Sequence, residues 1–465
     1  MPACRLAAAA LAANLVLAPA CTSQGEAGGN IPATQSAFVV VVWNDLGMHC
    51  LNPTYDTLVI LPPYNTLWAQ VIRRGSPPAV VTGGVTVEYR IVDNTSSYGK
   101  RSYGQFWDFA QVTFGAAPAR DHGLDLAGPE SFGLSGAMVV RGGDHFEADG
   151  VPLVPVDDGG TWNPYQVAEI TVKDGAGAVL AQTRATVPTS DEISCDRCHL
   201  TGVPGVPAVD MGPTGDTFRN VLWKHDQKLG TALLGAATGG TPVLCAGCHA
   251  SPALRIMAPS HGATTYVSEA IHGFHGALPP AEQPACYDCH PGPTTQCSRS
   301  LAHVMGQADG NCTHCHGTLA TVGGSIATGG RVPWIAEPAC ATCHPGVAEV
   351  DTGALATAQH PEAALYRNAP GHGGVRCAGC HGSPHAMAPS RVGSDDAQMI
   401  QYQGKAAPLG DCLACHDSSR GGGTLSEFPH AGAGARPNAC FVCHTSITAD
   451  TARWPHAFQW KERRF

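Results

Sequence analysis

The sequence predicts two parts, an N-terminal all-β, sandwich-like domain followed by a C-terminal domain of short helices and loops. Two observations predict this division. Segments with the spacing of strands fill residues 38–190, and the pattern Cys-x-x-Cys-His recurs eight times between residues 195 and 444. A third observation concerns the core, since aromatic residues make up only 6% of the chain, beside 56 glycines and 36 prolines. The second part therefore has few large side chains with which to build a conventional core.

Residues 1–20 have the pattern of a secretory signal peptide. MPACRLAAAALAANLVLAPA carries one arginine near its start, then an apolar run, then Ala-Pro-Ala, and it is short for a membrane span. We therefore expect an exported protein in the periplasm, at the outer membrane or outside the cell. LAPAC resembles a lipoprotein processing site, so Cys21 is either a lipid anchor or the first residue after an ordinary cleavage. Residues 21–37 are mostly small and polar, which predicts a flexible tether.

Three segments of the predicted β-rich domain, residues 38–190, carry distinct strand patterns. The apolar run FVVVVW at Phe38–Trp43 predicts a buried strand. VTVEYRIV at Val85–Val92 alternates between apolar and polar residues, which predicts a strand with one buried face. YQVAEITVK and AVLAQTRATV flank the turn sequence DGAG and predict a hairpin over residues 165–187. Short strands separated by Gly, Pro, Asn and Asp clusters indicate a β-sandwich.

Each copy of the repeated pattern holds two cysteines three positions apart and a histidine directly after the second. Two thiols on one helical turn can each add to a vinyl group of a porphyrin, and the adjacent histidine then binds the iron. Zinc and disulfide sites also use paired cysteines, but histidine would follow all eight pairs by chance with a probability below about 10⁻¹⁰. The predicted cofactor is therefore haem c, covalently attached, eight per chain. The copies are Cys195, Cys198 and His199; Cys245, Cys248 and His249; Cys286, Cys289 and His290; Cys312, Cys315 and His316; Cys340, Cys343 and His344; Cys377, Cys380 and His381; Cys412, Cys415 and His416; and Cys440, Cys443 and His444.

The motif-bearing domain, residues 191–465, is expected to consist of short helices that carry the motifs and loops that wrap around stacked haems. CAGCHASPALRIMAPS at Cys245 matches CAGCHGSPHAMAPS at Cys377, which indicates a duplicated tetrahaem module. A second match weakens this interpretation, because QPACYDCHPG around Cys286 resembles EPACATCHPG around Cys340, out of that register.

Each iron needs a second axial ligand, and histidines outside the motifs are frequent in the same region. Their number and their placement between motifs predict bis-histidine ligation, without assigning a particular histidine to a particular iron. His314, inside a motif, either serves a neighbouring haem or faces solvent. Ligation by Met257, Met305 or Met387 is the less favoured alternative. The predicted distal ligands are His225, His272, His275, His303, His372, His385, His430 and His456.

Several further cysteines and histidines are not assigned as haem anchors or axial ligands. Cys50 and Cys297 either pair, which would join the two domains in an oxidising compartment, or remain independent buried thiols. His49 is either a ligand of haem or metal or a structural histidine. His122 and His145 stand alone in the β-rich domain and are predicted to lie at the surface.

Four phrases of the sequence resemble a known group of proteins. WNDLGMHC with ILPPYNTL, CHPGPTTQC, RVPWIAEPACATCH and GHGGVRCAGCHGSPHA are similar to phrases of multihaem c-type cytochromes from bacteria that respire insoluble or extracellular acceptors. The resemblance covers most of the chain beyond Phe38. It implies closely packed, mostly bis-histidine haems that pass electrons along a chain. Extracellular cytochrome filaments belong to the same broad class, so the resemblance also suggests that copies of this chain assemble into a homopolymer.

These observations favour an electron carrier over an enzyme. The expected partners are other redox proteins or an extracellular acceptor, and the net charge of −10 disfavours nucleic acid. The alternative is an octahaem oxidoreductase that acts on a small nitrogen or sulfur compound and keeps one iron open. The lysine-ligated variant Cys-x-x-Cys-Lys is absent from the sequence, which counts against the nitrite reductase pattern.

We expect the purified, exported protein to be coloured and to carry eight haem adducts per chain. The adducts should survive denaturation because thioether bonds hold them. Intact-mass spectrometry under denaturing conditions measures their number. A colourless protein, or a mass short of eight adducts, contradicts the prediction.

Overall fold

The computed structural model describes residues 36–75, 77–202, 212–263, 265–292, 294–304, 310–338, 366–367, 369 and 372–416. The predicted signal peptide, and the tether as far as residue 35, lie outside these ranges. So do the motifs that begin at Cys340 and Cys440 and the candidate ligands His430 and His456. Those assignments stay predictions.

The part before residue 191 is rich in β-strands, as predicted, and most of them form two five-stranded sheets. The strands of the whole described chain are β1 Phe38–Asn44, β2 His49–Cys50, β3 Leu58–Val59, β4 Asn65–Arg73, β5 Ala79–Val81, β6 Val85–Ile91, β7 Ser135–Ala137, β8 Val139–Arg141, β9 His145–Val151, β10 Tyr165–Asp174, β11 Val179–Ser190 and β12 Val243–Leu244. The first sheet has the order β1-β4-β9-β8, with β5 also paired to β4, and all its pairs are antiparallel. The second has the order β2-β11-β10-β6-β7, in which only the short β2–β11 pair is parallel.

The two sheets pack face to face around one apolar core. β6 shows the predicted alternation, because Val87, Tyr89 and Ile91 are buried in this core while Thr86 and Arg90 are exposed. The predicted hairpin is confirmed by β10 and β11, which pair antiparallel along their length. Strands whose side chains alternate in this way bury one face and leave the other in solvent.

One helix interrupts the β-rich part, so the prediction that it is all-β was wrong in this respect. α1, Gly104–Phe114, buries Phe106 and Ala110 in a second core with Tyr55. Their spacing of four residues is the signal that sequence reasoning passed over. The helix is followed by Gly115, whose φ of 69° is the left-handed conformation that commonly ends helices.

The part after residue 191 consists of short helices, which confirms the coarse prediction. The helices of this part are α2 Thr217–Leu229, α3 Leu233–Thr238, α4 Val267–Gly276, α5 Leu301–Val304, α6 Cys312–His316, α7 Leu319–Ala327, α8 Cys377–His381 and α9 Ala397–Gln403. Six motifs form one turn each: α6, α8 and the 3₁₀ turns Cys195–Arg197, Cys245–Gly247, Cys286–Asp288 and Cys412–Ala414. No helix in the described ranges is long and apolar enough to cross a membrane.

β1 is buried on both faces, which explains its uninterrupted apolar sequence. Val40 and Val42 belong to the core between the sheets. Val39 and Val41, on the opposite face, pack in a cluster with Ala378 of α8. The sixth motif therefore lies directly on the β-rich part.

The free edge of β1 is covered by side chains of α9. The Tyr402 hydroxyl donates to the carbonyl of Val40 at 2.8 Å, and the Gln398 side-chain oxygen accepts from the Val42 N–H at 2.6 Å. Gln398 also donates to the carbonyl of Val42. These bonds satisfy backbone groups that an edge strand would otherwise expose to other chains.

We expect Ile170→Ala, in the middle of β10, to weaken the sandwich by about 2–5 kcal/mol, because the side chain is fully buried and its loss leaves a cavity. Val179→Ala on the paired strand is the control, since Val179 is 43% exposed and should change stability by about 0.5 kcal/mol at most. Amide hydrogen exchange of β10 and β11 measures both free energies. Equal effects of the two substitutions would contradict the assigned core.

Candidate functional site

Three motifs are closed by the same hydrogen bond across one turn. The N–H of His199 donates to the carbonyl of Cys195 at 2.8 Å. His249 and His290 make the equivalent bond to the first cysteine of their own motif, at 3.0 and 2.8 Å. The bond brings two cysteines and a histidine onto one turn. All three side chains are thus held together, as attachment to one planar group requires.

Three motif histidines face a second histidine from elsewhere in the chain. The centroid distances and interplanar angles are 5.9 Å and 22° for His290 with His272, 6.0 Å and 28° for His316 with His385, and 6.3 Å and 87° for His199 with His275. A histidine nitrogen binds a first-row metal at about 2 Å, so two ligands on opposite sides of one metal place their ring centroids about 6 Å apart. Each pair has the spacing of two axial ligands on one iron.

The second histidine of every pair is bonded through Nδ1 to a backbone carbonyl. The bonds join His272 to Ser268 at 2.7 Å, His275 to Ile271 at 2.8 Å and His385 to Leu46 at 2.9 Å. Because a carbonyl only accepts, Nδ1 carries the proton and the lone pair of the neutral ring lies on Nε2. Histidines that bind metals usually make this bond, which fixes the tautomer and the ring orientation.

A fourth motif histidine has a neighbour of the same kind. Burial lowers the pKa of His225 on α2, and the His249 ring lowers it further. The Nδ1 of His225 is 2.9 Å from the Thr231 hydroxyl, which donates to the Asp226 carboxylate at 2.6 Å. That hydroxyl therefore accepts from Nδ1–H, and His225 has the same tautomer as the three histidines above.

In two of the three pairs, burial favours the neutral form of both rings, the form that binds metals. It lowers the pKa of His290 to about 4, and the nearby His272, His316 and His385 lower it further. Burial likewise lowers the pKa of His316 to about 4, with His385 as the next cause. For His272 and His385 burial also lowers the pKa, against the opposing effect of the Nδ1–H bonds. A neutral imidazole is the form that donates a lone pair to a metal.

Helix α4 carries the second histidines of two pairs. His272 and His275 are three positions apart, so they are neighbours on one helical face, with Cβ atoms about 5–6 Å apart. His272 faces the third motif, whereas His275 faces the first. Those two motifs are joined directly as well, by an ion pair between Arg197 and Asp288. A single turn of helix thus links two candidate sites.

Small residues allow α4 to lie against α7. A Cβ atom at Gly323 would lie 2.8 Å from the Cα of Gly273, and one at Gly276 would lie 2.8 Å from the Cα of Ala320. Such distances are too short for any larger side chain at either glycine. The close approach of the two helices fixes the position of α4 and so of both its histidines.

Less is described of four other predicted distal ligands. His303 lies on α5, and its carbonyl accepts a hydrogen bond from Asn311 at 3.0 Å. His372 lies in a 3₁₀ turn, but its side chain falls outside the described residues, as do His430 and His456 entirely.

The alternative ligands lie in different surroundings. His314 is exposed, and Met257 is 53% exposed. Met387 packs with the apolar cluster on the outer face of β1. Met305 falls outside the described residues.

Reasoning from the sequence did not predict a polar cluster that joins the two parts of the chain. His145, predicted to lie at the surface, is only 4% exposed, so that prediction was wrong. Its ring centroid is 4.6 Å from that of Trp68, and its Nδ1 is 2.7 Å from Asp144. Arg376, directly before the sixth motif, is 3.1 Å from the same carboxylate and lies over Trp68. No local pattern predicts this cluster, because its members come from β4, from the start of β9 and from the segment before the sixth motif, which are distant in sequence.

The remaining residues are placed as follows. His49 is 5% exposed and its Nε2 lies 2.7 Å from Asp45, which favours the structural interpretation over a ligand. Cys50 and Cys297 are free thiols. Burial raises the pKa of the Cys50 thiol, and Cys297 raises it further. His122 is exposed, as predicted.

The facing pairs fit a metal in a macrocycle better than a bare metal ion. Within the part of the chain that the structure describes, no group of three or more histidine, cysteine, aspartate or glutamate side chains could hold a metal ion. Each pair instead offers two imidazoles whose ring centroids have the spacing of two axial ligands. Six-coordinate haem iron uses such a pair, since the porphyrin supplies its other four ligands.

Comparisons with protein-family models, with curated proteins and with solved structures give no match to this chain.

Proposed function

We propose that this protein is an exported electron carrier that binds eight haem c groups, one at each Cys-x-x-Cys-His motif, and passes electrons between them. The proposal rests on three pairs of histidines whose ring centroids lie 5.9 to 6.3 Å apart. In each pair, a hydrogen bond to a backbone carbonyl holds one ring as the Nδ1–H tautomer. Haem supplies a one-electron centre, and two histidines leave no position on its iron for a substrate. The chain supplies the thioether anchors and the axial ligands.

The ring spacing supports a specific assignment of ligands for three of the haems. In each case the motif histidine would bind one side and a histidine from another segment the other. The proposed pairs are His199 with His275, His290 with His272 and His316 with His385. His225 is proposed as the partner of His249 on their electrostatic interaction alone.

Three of these sites adjoin one another, which supports transfer between haems rather than chemistry at one of them. The first and third motifs share α4 and the ion pair of Arg197 with Asp288. The rings of His316 and His385 lie close enough to His290 to lower its pKa. We therefore propose the order first motif, third motif, fourth motif. Ligands this close to one another would hold their irons close, and electron transfer is fastest over short separations.

The proposal extends to location and partners. Covalent haem attachment suits an exported protein, and the donor and acceptor are then other redox proteins or an extracellular acceptor. The net charge of −10 makes nucleic acid and anionic membrane surfaces poor partners. Anchoring by a lipid at Cys21 and assembly into a polymer are separate parts of the proposal, tested by the mass of the mature N-terminus and by light scattering.

We expect the reduced protein to bind no carbon monoxide, because both axial positions of every iron are filled. His275→Ala should open one iron, so about one eighth of the haem should bind the gas. His261→Ala is the matched control, since His261 is an exposed histidine of the same region. Difference spectra with and without carbon monoxide measure the bound fraction. A stoichiometric gas-binding haem in the unmodified protein would favour the octahaem oxidoreductase instead.

The ring angles predict distinct electron paramagnetic resonance signals. Perpendicular imidazoles leave two iron d orbitals nearly equal in energy, whereas parallel ones separate them. The pair His199 with His275, at 87°, should give a strongly anisotropic low-spin ferric signal, and the pairs at 22° and 28° should give rhombic ones. His275→Ala should remove an anisotropic signal, while His272→Ala should remove a rhombic one. Loss of the same signal in both variants would refute the assignment.

A further inference from the structure

A loop of the β-rich part reaches a histidine of the motif-bearing part. The carbonyl of Leu46, two residues after β1, accepts the Nδ1–H of His385 at 2.9 Å. His385 faces His316 at 6.0 Å between ring centroids. Resting on the proposed function, we infer that the loop Asp45–Met48 is a positioning element for His385, the distal ligand of the haem attached at Cys312.

The loop is fixed to the first sheet by Asn44, the last residue of β1. The Asn44 side-chain oxygen accepts the N–H groups of Leu46 and Gly47 at 3.2 and 2.6 Å. Its nitrogen donates to the carbonyl of Thr66 on β4 at 2.8 Å. Asn44 is fully buried, so these bonds hold the loop against the strands from which it emerges. The Leu46 carbonyl is therefore a rigid acceptor.

Gly47 brings the loop into direct contact with the segment that carries His385. Its φ is 77°, and a Cβ atom there would lie 1.5 Å from the carbonyl oxygen of Pro384. Only glycine fits both the left-handed conformation and this approach. The loop and the ligand segment thus touch through their backbones.

Arg299 is hydrogen-bonded both to the loop Asp45–Met48 and to the segment that carries His385. Its side chain is fully buried, donates to the Gly47 carbonyl at 2.8 Å and pairs with Asp395 at 2.8 Å. Its backbone N–H donates to the carbonyl of His385 at 2.6 Å. His385 has a φ of 62°, a conformation that non-glycine residues seldom adopt without such support. The ring is therefore held by the β-rich part and by the Arg299 segment together.

This arrangement gives the β-rich part control over one haem. Donation from Nδ1–H to a carbonyl makes the imidazole a stronger ligand, which stabilises ferric iron and lowers the reduction potential. A shift of the loop would weaken that bond. The potential of this haem should then rise, or its distal ligand should be lost, while the other haems are unaffected.

Gly47→Ala in the full-length, haem-loaded protein tests the inference. The new Cβ cannot coexist with Pro384, so the loop and the ligand segment must separate. We expect one of the haem signals to change, either by a raised midpoint potential in a redox titration or by conversion of about one eighth of the haem to a high-spin, carbon monoxide-binding form. Gly84→Ala is the matched control, because Gly84 has a φ of 74° and an added Cβ would meet nothing within 4 Å.

Two further variants keep the experiment decisive. Asn44→Ala removes the anchor of the loop without adding an atom, and it should reproduce the change if Gly47→Ala fails to fold. His385→Ala should open one iron and identify which signal belongs to this haem. Amide hydrogen exchange of β1 and β4 shows whether each variant retains its sheet.

The outcomes separate the inference from the proposed function. A protein without haem would overturn the proposed function itself. If His385→Ala opens an iron while a folded Gly47→Ala or Asn44→Ala leaves all spectra and potentials unchanged, His385 is a ligand and the positioning role is wrong. If His385→Ala opens no iron, the ligand assignment, and the inference with it, is wrong.

Discussion

The position of one proton on each distal histidine is the constraint on which the candidate sites depend. A histidine binds a metal through Nε2 only when its ring is neutral, protonated at Nδ1 and unable to turn away. Helix α4 meets this requirement within its own backbone, because His272 and His275 donate to carbonyls four residues earlier. His385 has no helix to provide an acceptor, and it uses Leu46 from 339 positions away. The same chemical requirement is thus local at two sites and tertiary at a third.

The bond between Leu46 and His385 requires the two parts of the chain to pack closely. β1 gives one face to the sandwich core and the other to the sixth motif, while α9 covers its edge. The cluster of His145, Trp68 and Arg376 adds a polar contact beside it. The contacts of Ala378 with β1 and of Arg376 with the polar cluster lie in the segment around the sixth motif, a few residues before His385. The β-rich part is therefore structurally continuous with the region that would hold the fourth haem.

Local patterns allowed the strands and the motif turns to be predicted, because both depend on neighbours in sequence. The alternation in β6, the hairpin of β10 and β11 and the single turns at the motifs are of this kind. The pairing of His385 with His316, and the burial of His145, depend on contacts between distant segments. A histidine count shows that second ligands are available, but not which one meets which motif. The distal ligands could thus be proposed as a set, and only three-dimensional packing supports their pairing.

The motif turns themselves are too short to be stable alone. Turns of three to five residues lie well below the length at which helix formation becomes favourable, so each must be held by something outside it. The sixth motif has a preformed surface, since Gly379 lies so close to β1 that a Cβ there would be 3.1 Å from Val41. The first and third motifs have the ion pair of Arg197 with Asp288 and the rings of α4. A covalently bound porphyrin would join each turn to its distal histidine, and that bond would then stabilise both the turn and the contact between segments.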